Sequence, residues 1–167
     1  MPTVFFDAAI AEIRKHEDLA LRLAEIEIFI PKIDEIIDLN RVLQERYQQR
    51  HGLRDRGLLE SALGALDAAQ QYGQTDPDWL SILLLSRIAK NHAFVDGNKR
   101  TAVFTMLGFR RANLLNTDLS SAVLERLVLD LVTGVSDEET AYQFLKAELS
   151  GQGYETRKPE NGAKSWR

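Results

Sequence analysis

The chain carries a short polar stretch between two long apolar segments. That stretch reads Asn91-His92-Ala93-Phe94-Val95-Asp96-Gly97-Asn98-Lys99-Arg100-Thr101. The segment before it, residues 79–88, is apolar on most sides, and so is the segment after it, residues 102–109. Helices of that composition are expected in a protein core. Because polar groups near a core lower stability unless they are paired, we interpret their concentration here as functional.

The second half of this stretch is typical of an anion site. Gly97 permits backbone angles that are closed to other residues, which lets a ligand approach the main chain. The helix that begins after it offers free N–H groups and the positive end of its dipole. Asn98, Lys99 and Arg100 add hydrogen-bond donors and positive charge at the same end. Cations oppose the helix dipole there, so an anionic ligand such as phosphate explains them better than helix stability does.

Two further side chains complete a set of catalytic parts. A neutral imidazole at His92 can accept a proton from an attacking hydroxyl. A carboxylate at Asp96, beside bound phosphates, is the usual holder of Mg²⁺. Phe94 is expected to point into the core and to fix the loop. Each residue also has an ordinary structural interpretation by itself, but their clustering favours the transfer of a phosphate-containing group to a hydroxyl.

Helical periodicity dominates the rest of the chain and predicts an all-α fold around a central pair of buried helices. Asp55 is a candidate cap for the helix that precedes a polar loop at residues 70–75, and Asp76-Pro77 is a clean helix start. Further helices are predicted at residues 5–25, 32–50, 98–113, 119–132 and 137–149.

Several details of these elements are expected from local signals. His51-Gly52 is expected to end the helix over residues 32–50, which turns Val42 inward together with Ile33, Ile36, Ile37 and Leu43. Ser136 and Glu139 form a predicted capping box. Near residues 26–30 helical and strand signals conflict, so a short N-terminal strand or hairpin, or simply an extended segment ended by Pro31, is expected there.

Composition bounds the class of protein. The chain has 167 residues, a formal net charge of −4, three histidines and no cysteine. These values argue against a general nucleic-acid binder, a disulfide scaffold and a Cys-based zinc site. No apolar run approaches the length of a membrane span, and no secretory leader is evident, so a cytoplasmic protein without direct nucleic-acid or membrane partners is expected. We divide the chain into an N-terminal helical extension (1–27), one domain (28–150) and a polar tail (151–167) expected to be disordered.

The central stretch resembles the signature of the Fic/Doc family, His-x-Phe-x-(Asp/Asn)-(Gly/Ala)-Asn-Lys-Arg. The matching positions are His92, Phe94, Asp96, Gly97, Asn98, Lys99 and Arg100. The segments 52–55 and 57–63 resemble the upstream helix of the family, so that the likeness covers roughly residues 28–149.

This resemblance implies a Fic/Doc-type helical bundle, and it is closer to the Doc (death-on-curing) toxin branch than to the AMP-transferring Fic branch. The latter carries a second Gly and a later Arg where this chain has Lys99 and Val103. A Doc-like protein is implied to transfer a phosphoryl group from ATP, with Mg²⁺, to a threonine of a translation elongation factor. Such toxins usually have a separate antitoxin protein whose helical segment binds them.

Carried onto this sequence, the resemblance implies a role for each residue of the motif. His92 is the base and Asp96 the metal ligand, while Gly97, Asn98, Lys99 and Arg100 cradle phosphates. Residues 70–75, with Tyr72 and Gly73, lie where the family has a flap that positions the target segment.

Two alternatives to phosphoryl transfer stay open at this point: AMP transfer to a protein hydroxyl, and a non-catalytic binding module that retains the fold. The N-terminal extension lacks an evident inhibitory signature of self-inhibited Fic proteins. It is expected to be an added packing helix, a dimer contact or a docked restraint.

Overall fold

The computed structural model of the protein describes residues 27–151, which form six α-helices and no β-strand. In chain order they are α1 (Ile33–Arg46), α2 (Arg56–Gln71), α3 (Pro77–Asn91), α4 (Asn98–Ala112), α5 (Ser121–Thr133) and α6 (Glu138–Leu149). The predicted all-α fold is therefore confirmed. The predicted helix over residues 5–25 and the polar tail beyond Gly151 lie outside the described residues.

Helix α3 is the centre of the fold. It begins at an Asp76 cap, whose carboxylate accepts hydrogen bonds from the backbone N–H groups of Asp78 (2.8 Å) and Trp79 (3.4 Å), with Pro77 at the first helical position. It is apolar nearly all round and packs against α2, α4, α5 and α6. Its most extensive packing is with α4, which confirms the predicted central helix pair.

Helix α1 ends earlier than the sequence indicated. It stops at Arg46 rather than at His51-Gly52 because Gln48 takes a left-handed conformation (φ 53°). The backbone N–H of Gln49 then bonds to the carbonyl of Gln44 at 2.9 Å, and that of Gln48 to Glu45 at 3.1 Å. This is a Schellman motif built without the usual glycine, which is why no local signal predicted it.

Two smaller predictions about these elements were wrong. Val42 is 51% exposed, because the inward face of α1 carries Asn40 and Gln44 instead. The cap of α6 is Asp137, which accepts from Thr140 N–H at 2.8 Å, because the backbone N–H of Ser136 already bonds to Asp130 at the end of α5. No strand forms over residues 27–32.

The segment before α1 is held by a side chain rather than by a neighbouring strand. The backbone N–H of Phe29 donates to Asn113 Oδ1 at 2.8 Å, and Asn113 Nδ2 donates to the Phe29 carbonyl at 2.9 Å. This pairing provides hydrogen-bond partners for the backbone of Phe29 without a sheet. For the described residues, the segment before Pro31 is therefore extended, which is one of the two predicted alternatives.

An ionic cluster joins the start of α3 to the end of α4 and to α6. The fully buried Arg110 pairs with Asp78 at 2.9 Å, and Lys146 of α6 contacts the same carboxylate at 2.9 Å. The Tyr142 hydroxyl donates to Asp76 Oδ2 at 2.6 Å. This hydrogen bond, reinforced by burial, raises the pKa of Tyr142 to about 12. Burial opposes ionisation of Asp76, but the bonds from Tyr142, Asp78 and Trp79 outweigh it and lower the pKa of that carboxyl.

Across residues 27–151, no helix is both long enough and apolar enough to cross a membrane.

Candidate active site

The polar stretch forms the connection between the two central helices. His92 closes α3 in a left-handed conformation (φ 53°) and Gly97 opens α4 in another (φ 75°). Two sharp changes of direction thus bracket residues 93–96 and bring the end of α3 close to the start of α4. Phe94 is fully buried between them, as predicted.

The connection is held in place by the segment before α2. Leu53 and Phe94 form an isolated antiparallel β-bridge. Around it, the Arg54 N–H donates to the Ala93 carbonyl at 2.7 Å, and the Val95 N–H donates to the Gly52 carbonyl at 3.0 Å. The backbone of the connection between α3 and α4 is therefore fixed by the segment before α2. These bonds are expected to limit the movement of the connection.

Asn98 uses its side chain inside the protein. Its Oδ1 accepts from the Phe94 N–H at 2.9 Å, and its Nδ2 donates to the Phe94 carbonyl at 3.0 Å. The side chain therefore holds the loop in place. Because its amide is already bonded, Asn98 can offer a ligand its backbone N–H.

Two buried amide side chains of α1 brace the loop from the other side. Asn40 donates to the Asp96 carbonyl at 3.0 Å and to Thr101 Oγ1 at 2.9 Å. One helical turn later, Gln44 donates to the Arg50 carbonyl at 2.9 Å and packs against Gly97. Neither residue was singled out from the sequence. Their spacing of four, on the face defined by Ile36, was the available signal.

Gly97 is required for two separate reasons. Its φ of 75° is unfavourable for residues with a side chain. A Cβ atom at this position would also collide with the side-chain amide of Gln44. As a consequence, the N-cap residue of α4 has no side chain, and no side-chain cap is formed. The first N–H groups of α4 have no intrahelical acceptor, which leaves them available to an anion.

The predicted residues meet in one cavity of about 590 Å³, a volume within the range of small-molecule sites. Its lining consists of Tyr47, Gln49, His92, Val95, Asp96, Gly97, Asn98, Lys99 and Arg100. The loop thus places the exposed His92 in the same cavity as the first turn of α4. Tyr72 and Gly73 do not line it; Tyr72 is 92% exposed at the end of α2.

Comparison with known proteins agrees with this geometry. The sequence profile of the Fic/DOC family matches residues 30–109. The chain is 33% identical over 102 residues to "Protein kinase doc" of Escherichia phage P1, an alignment that covers 60% of this chain and 80% of that protein. The chain belongs to the Fic/DOC family. The signature of this family spans the loop and first helical turn that line the cavity.

The acidic residue of the Fic/DOC signature, Asp96, is exposed at the cavity. One of its oxygens accepts from the Gly97 N–H at 2.6 Å. Within residues 27–151 no group of three or more His, Cys, Asp or Glu side chains is placed to hold a metal. A single carboxylate fits Mg²⁺ that takes its remaining ligands from phosphates and water, but it does not fit an all-protein metal cage.

The last cation of the signature, Arg100, is held by other side chains of the protein. Arg100 Nη1 donates to Gln49 Oε1 at 2.8 Å and to Gln44 Oε1 at 3.0 Å. Its guanidinium carbon lies 4.0 Å from the centre of the Tyr47 ring, the geometry of a cation–π contact. Tyr47 and Gln49 were not singled out from the sequence, because they follow the unpredicted end of α1.

Proposed function

We propose that this protein transfers the γ-phosphoryl group of ATP to a Ser or Thr hydroxyl of a protein target. The observation that carries the proposal is the shared cavity, in which an exposed imidazole and an uncapped helix N-terminus with two cations face the same space. The name of the phage P1 relative, a protein kinase, supports the same chemistry.

His92 acts on the target hydroxyl in this proposal. Its neutral imidazole takes the hydroxyl proton as the oxygen attacks the γ-phosphorus, and the bond from that phosphorus to the oxygen of ADP breaks. The exposure of His92 lets a protein substrate reach it. The result is a phosphorylated side chain, free ADP and a protonated imidazole, which returns its proton to solvent.

The start of α4 acts on the nucleotide. The backbone N–H groups of Asn98, Lys99 and Arg100, together with the two cationic side chains, bind the phosphates and stabilise the charge that spreads over the transferred group. Asp96 would hold Mg²⁺, which would neutralise part of the charge on the phosphates. Gly97 keeps a side chain out of this region.

The same parts also permit AMP transfer, in which the attacked atom is the α-phosphorus. Lys99 disfavours this alternative, because its side chain occupies cavity space that the glycine of AMP-transferring Fic proteins leaves open. Position 103 carries Val rather than the second Arg of those proteins, which removes a phosphate contact.

The experiment uses γ-labelled and α-labelled ATP with cell extract. Protein-bound label from the γ position alone is expected with the wild type. His92→Ala should lower the rate by at least about 100-fold, because general-base catalysis contributes that much or more. His51→Ala is the matched control, since His51 is exposed and does not line the cavity, and it should label the extract normally.

Each outcome of this labelling experiment decides between the alternatives. Label from the α position means AMP transfer. Label from neither position, or label that is unchanged in His92→Ala, contradicts the proposed chemistry and favours a non-catalytic binding module.

We propose further that the target is a translation factor in the cytoplasm and that a separate antitoxin protein restrains the enzyme. The very exposed Tyr72, with Gly73 after it, supports a role of the segment 70–75 in contacting the target. Induced expression should arrest growth and protein synthesis, and His92→Ala should not. Equal arrest by both proteins contradicts a toxic enzymatic activity.

A further inference from the structure

Every side-chain contact that fixes Arg100 is with an uncharged group. Its three partners are the Tyr47 ring and the amide oxygens of Gln44 and Gln49. Within residues 27–151, no carboxylate lies within 4.0 Å of this guanidinium. The position of Arg100 is therefore fixed, while its positive charge has no counter-ion among these residues.

Four other arginines among the described residues are held differently. Arg41, Arg56, Arg110 and Arg126 each contact a carboxylate, at 3.4, 2.9, 2.9 and 3.3 Å respectively. A carboxylate partner cancels most of the field of the cation, and such an arginine has little charge left for a ligand. Neutral partners supply geometry without that cancellation.

The three neutral groups all lie at the C-terminal end of α1. Gln44 lies in the last turn of α1, Tyr47 is its C-terminal cap residue, and Gln49 is fixed by the bond from its backbone N–H to the Gln44 carbonyl. Gln44 is fully buried and also donates to the Arg50 carbonyl, so its amide cannot rotate freely. The Schellman end of α1 is thus a rigid holder.

Two nitrogen atoms of the Arg100 guanidinium, Nε and Nη2, remain as donors for a ligand. Both hydrogen bonds to the glutamines leave from Nη1. Nε and Nη2 make no hydrogen bond to another of the described residues, and Arg100 lines the cavity. A planar guanidinium with two free donor groups is suited to grip a phosphate at two points.

We propose that Tyr47, Gln44 and Gln49 form a neutral clamp that positions Arg100 for the phosphates of the nucleotide donor. The inference rests on the proposed function. Tyr47 and Gln49 are positioning residues in it, since they act through Arg100. The aromatic ring of Tyr47 and the uncharged amide of Gln49 can be tested separately.

Tyr47 tests the shape. It is 50% exposed, so its replacement should leave the fold intact. Tyr47→Phe keeps the ring and should bind Mg²⁺–ATP like the wild type. Tyr47→Leu removes the cation–π contact and should weaken binding by about three- to thirty-fold, the range of such contacts.

Gln49 tests the neutrality. Gln49→Glu sets a carboxylate against Arg100, where it competes with phosphate, and should weaken binding by about ten-fold or more. Gln143→Glu is the control. It makes the same charge change at an exposed residue of α6 that does not line the cavity and lies outside the end of α1, and it should have a small effect.

The measurement is calorimetric titration of the full chain with Mg²⁺–ATP and with inorganic pyrophosphate, together with thermal unfolding without ligand. Unchanged unfolding midpoints with weakened binding indicate positioning rather than a general structural role. The clamp is refuted if Tyr47→Leu binds like the wild type, or if Gln49→Glu binds no more weakly than Gln143→Glu.

The two proposals fail in different ways. If the wild type transfers label but the variants bind equally, the clamp is wrong and the proposed function stands. If the wild type binds pyrophosphate but not Mg²⁺–ATP, the nucleotide is wrong, and the clamp is judged on pyrophosphate. If it binds neither, both proposals are wrong.

Discussion

At the scale of single residues, Asn98 shows how the site is held in shape. Its amide both accepts from and donates to the backbone of Phe94, whose side chain is buried in the core. The loop geometry thus depends on a group that offers a donor and an acceptor on one side chain, which among small residues only an amide provides in this form.

Replacing Asn98 separates these two bonds. Asn98→Leu removes both and leaves backbone groups of Phe94 unpaired, so the free energy of unfolding should fall by about 2–4 kcal/mol. Asn98→Asp keeps the acceptor and should lose less. Urea unfolding measures the free energy of unfolding of both variants. Equal losses of stability in the two variants, or no loss in either, would contradict this role of Asn98.

The site residues could be predicted from the sequence only in part. The motif lies within a few positions of the chain, so its membership in one loop follows directly. Asn40 and Gln44 are different, because a periodicity argument treats an amide as a surface residue. Their burial follows from partners 56 or more residues away, which local patterns do not reveal.

At the scale of elements, helix starts were more predictable than helix ends. Asp55 and Asp76 cap α2 and α3 as expected, since an Asp cap is a local side-chain-to-backbone bond. The end of α1 depends on Gln48 in a left-handed conformation, which nothing in its residue type favours. The walls of the cavity formed by Tyr47 and Gln49 were missed for the same reason.

The contact between α6 and the start of α3 predicts a dependence on pH. Tyr142→Phe removes the hydrogen bond to Asp76 and should lower the unfolding free energy by about 1–2 kcal/mol at pH 7. The folded pKa of Tyr142, about 12, lies above its ordinary value of 10.0. Its contribution is therefore complete below pH 10 and is lost as the pH rises through about 12.

Urea unfolding of wild type and Tyr142→Phe at several pH values measures this difference. The gap between the two proteins should narrow above pH 10. The hydrogen bond to Asp78 also raises the pKa of Lys146, but Lys146 is present in both proteins and its contribution largely cancels. A gap that stays constant up to pH 12 contradicts the assignment.

At the scale of the whole molecule, the two ends of the central helix pair have different tasks. The end of α3 and the start of α4 form the cavity, while the start of α3 and the end of α4 carry the ionic cluster around Arg110. The pair is roughly 20 Å long, from the rise of a helix of this length. The apolarity of α3 made its central place predictable, and the polar stretch at one end of the pair was evident from the sequence. The ionic cluster at the other end, by contrast, required the folded chain.

The described residues contain a continuous core to which all six helices contribute. We therefore expect a fragment of residues 27–151 to unfold cooperatively, with a midpoint within a few degrees of the full chain. Circular dichroism on heating compares the two. A fragment that aggregates or melts without a sharp transition indicates that residues 1–26 or 152–167 complete the core.

The fit of Gly97 against Gln44 has a consequence for how this enzyme can change by mutation. Position 97 can gain a side chain only if the Gln44 amide moves out of its buried place or residue 44 becomes smaller, and even then only residues such as Asn tolerate the backbone angle. A smaller residue 44 also removes one of the groups that hold Arg100. The two sites should therefore be strongly epistatic: in a double-mutant cycle of Gly97→Asn with Gln44→Ser, the stability changes should deviate from additivity by about 0.5–3 kcal/mol. A side chain that stabilises the backbone at this position would therefore cost one of the contacts that hold Arg100.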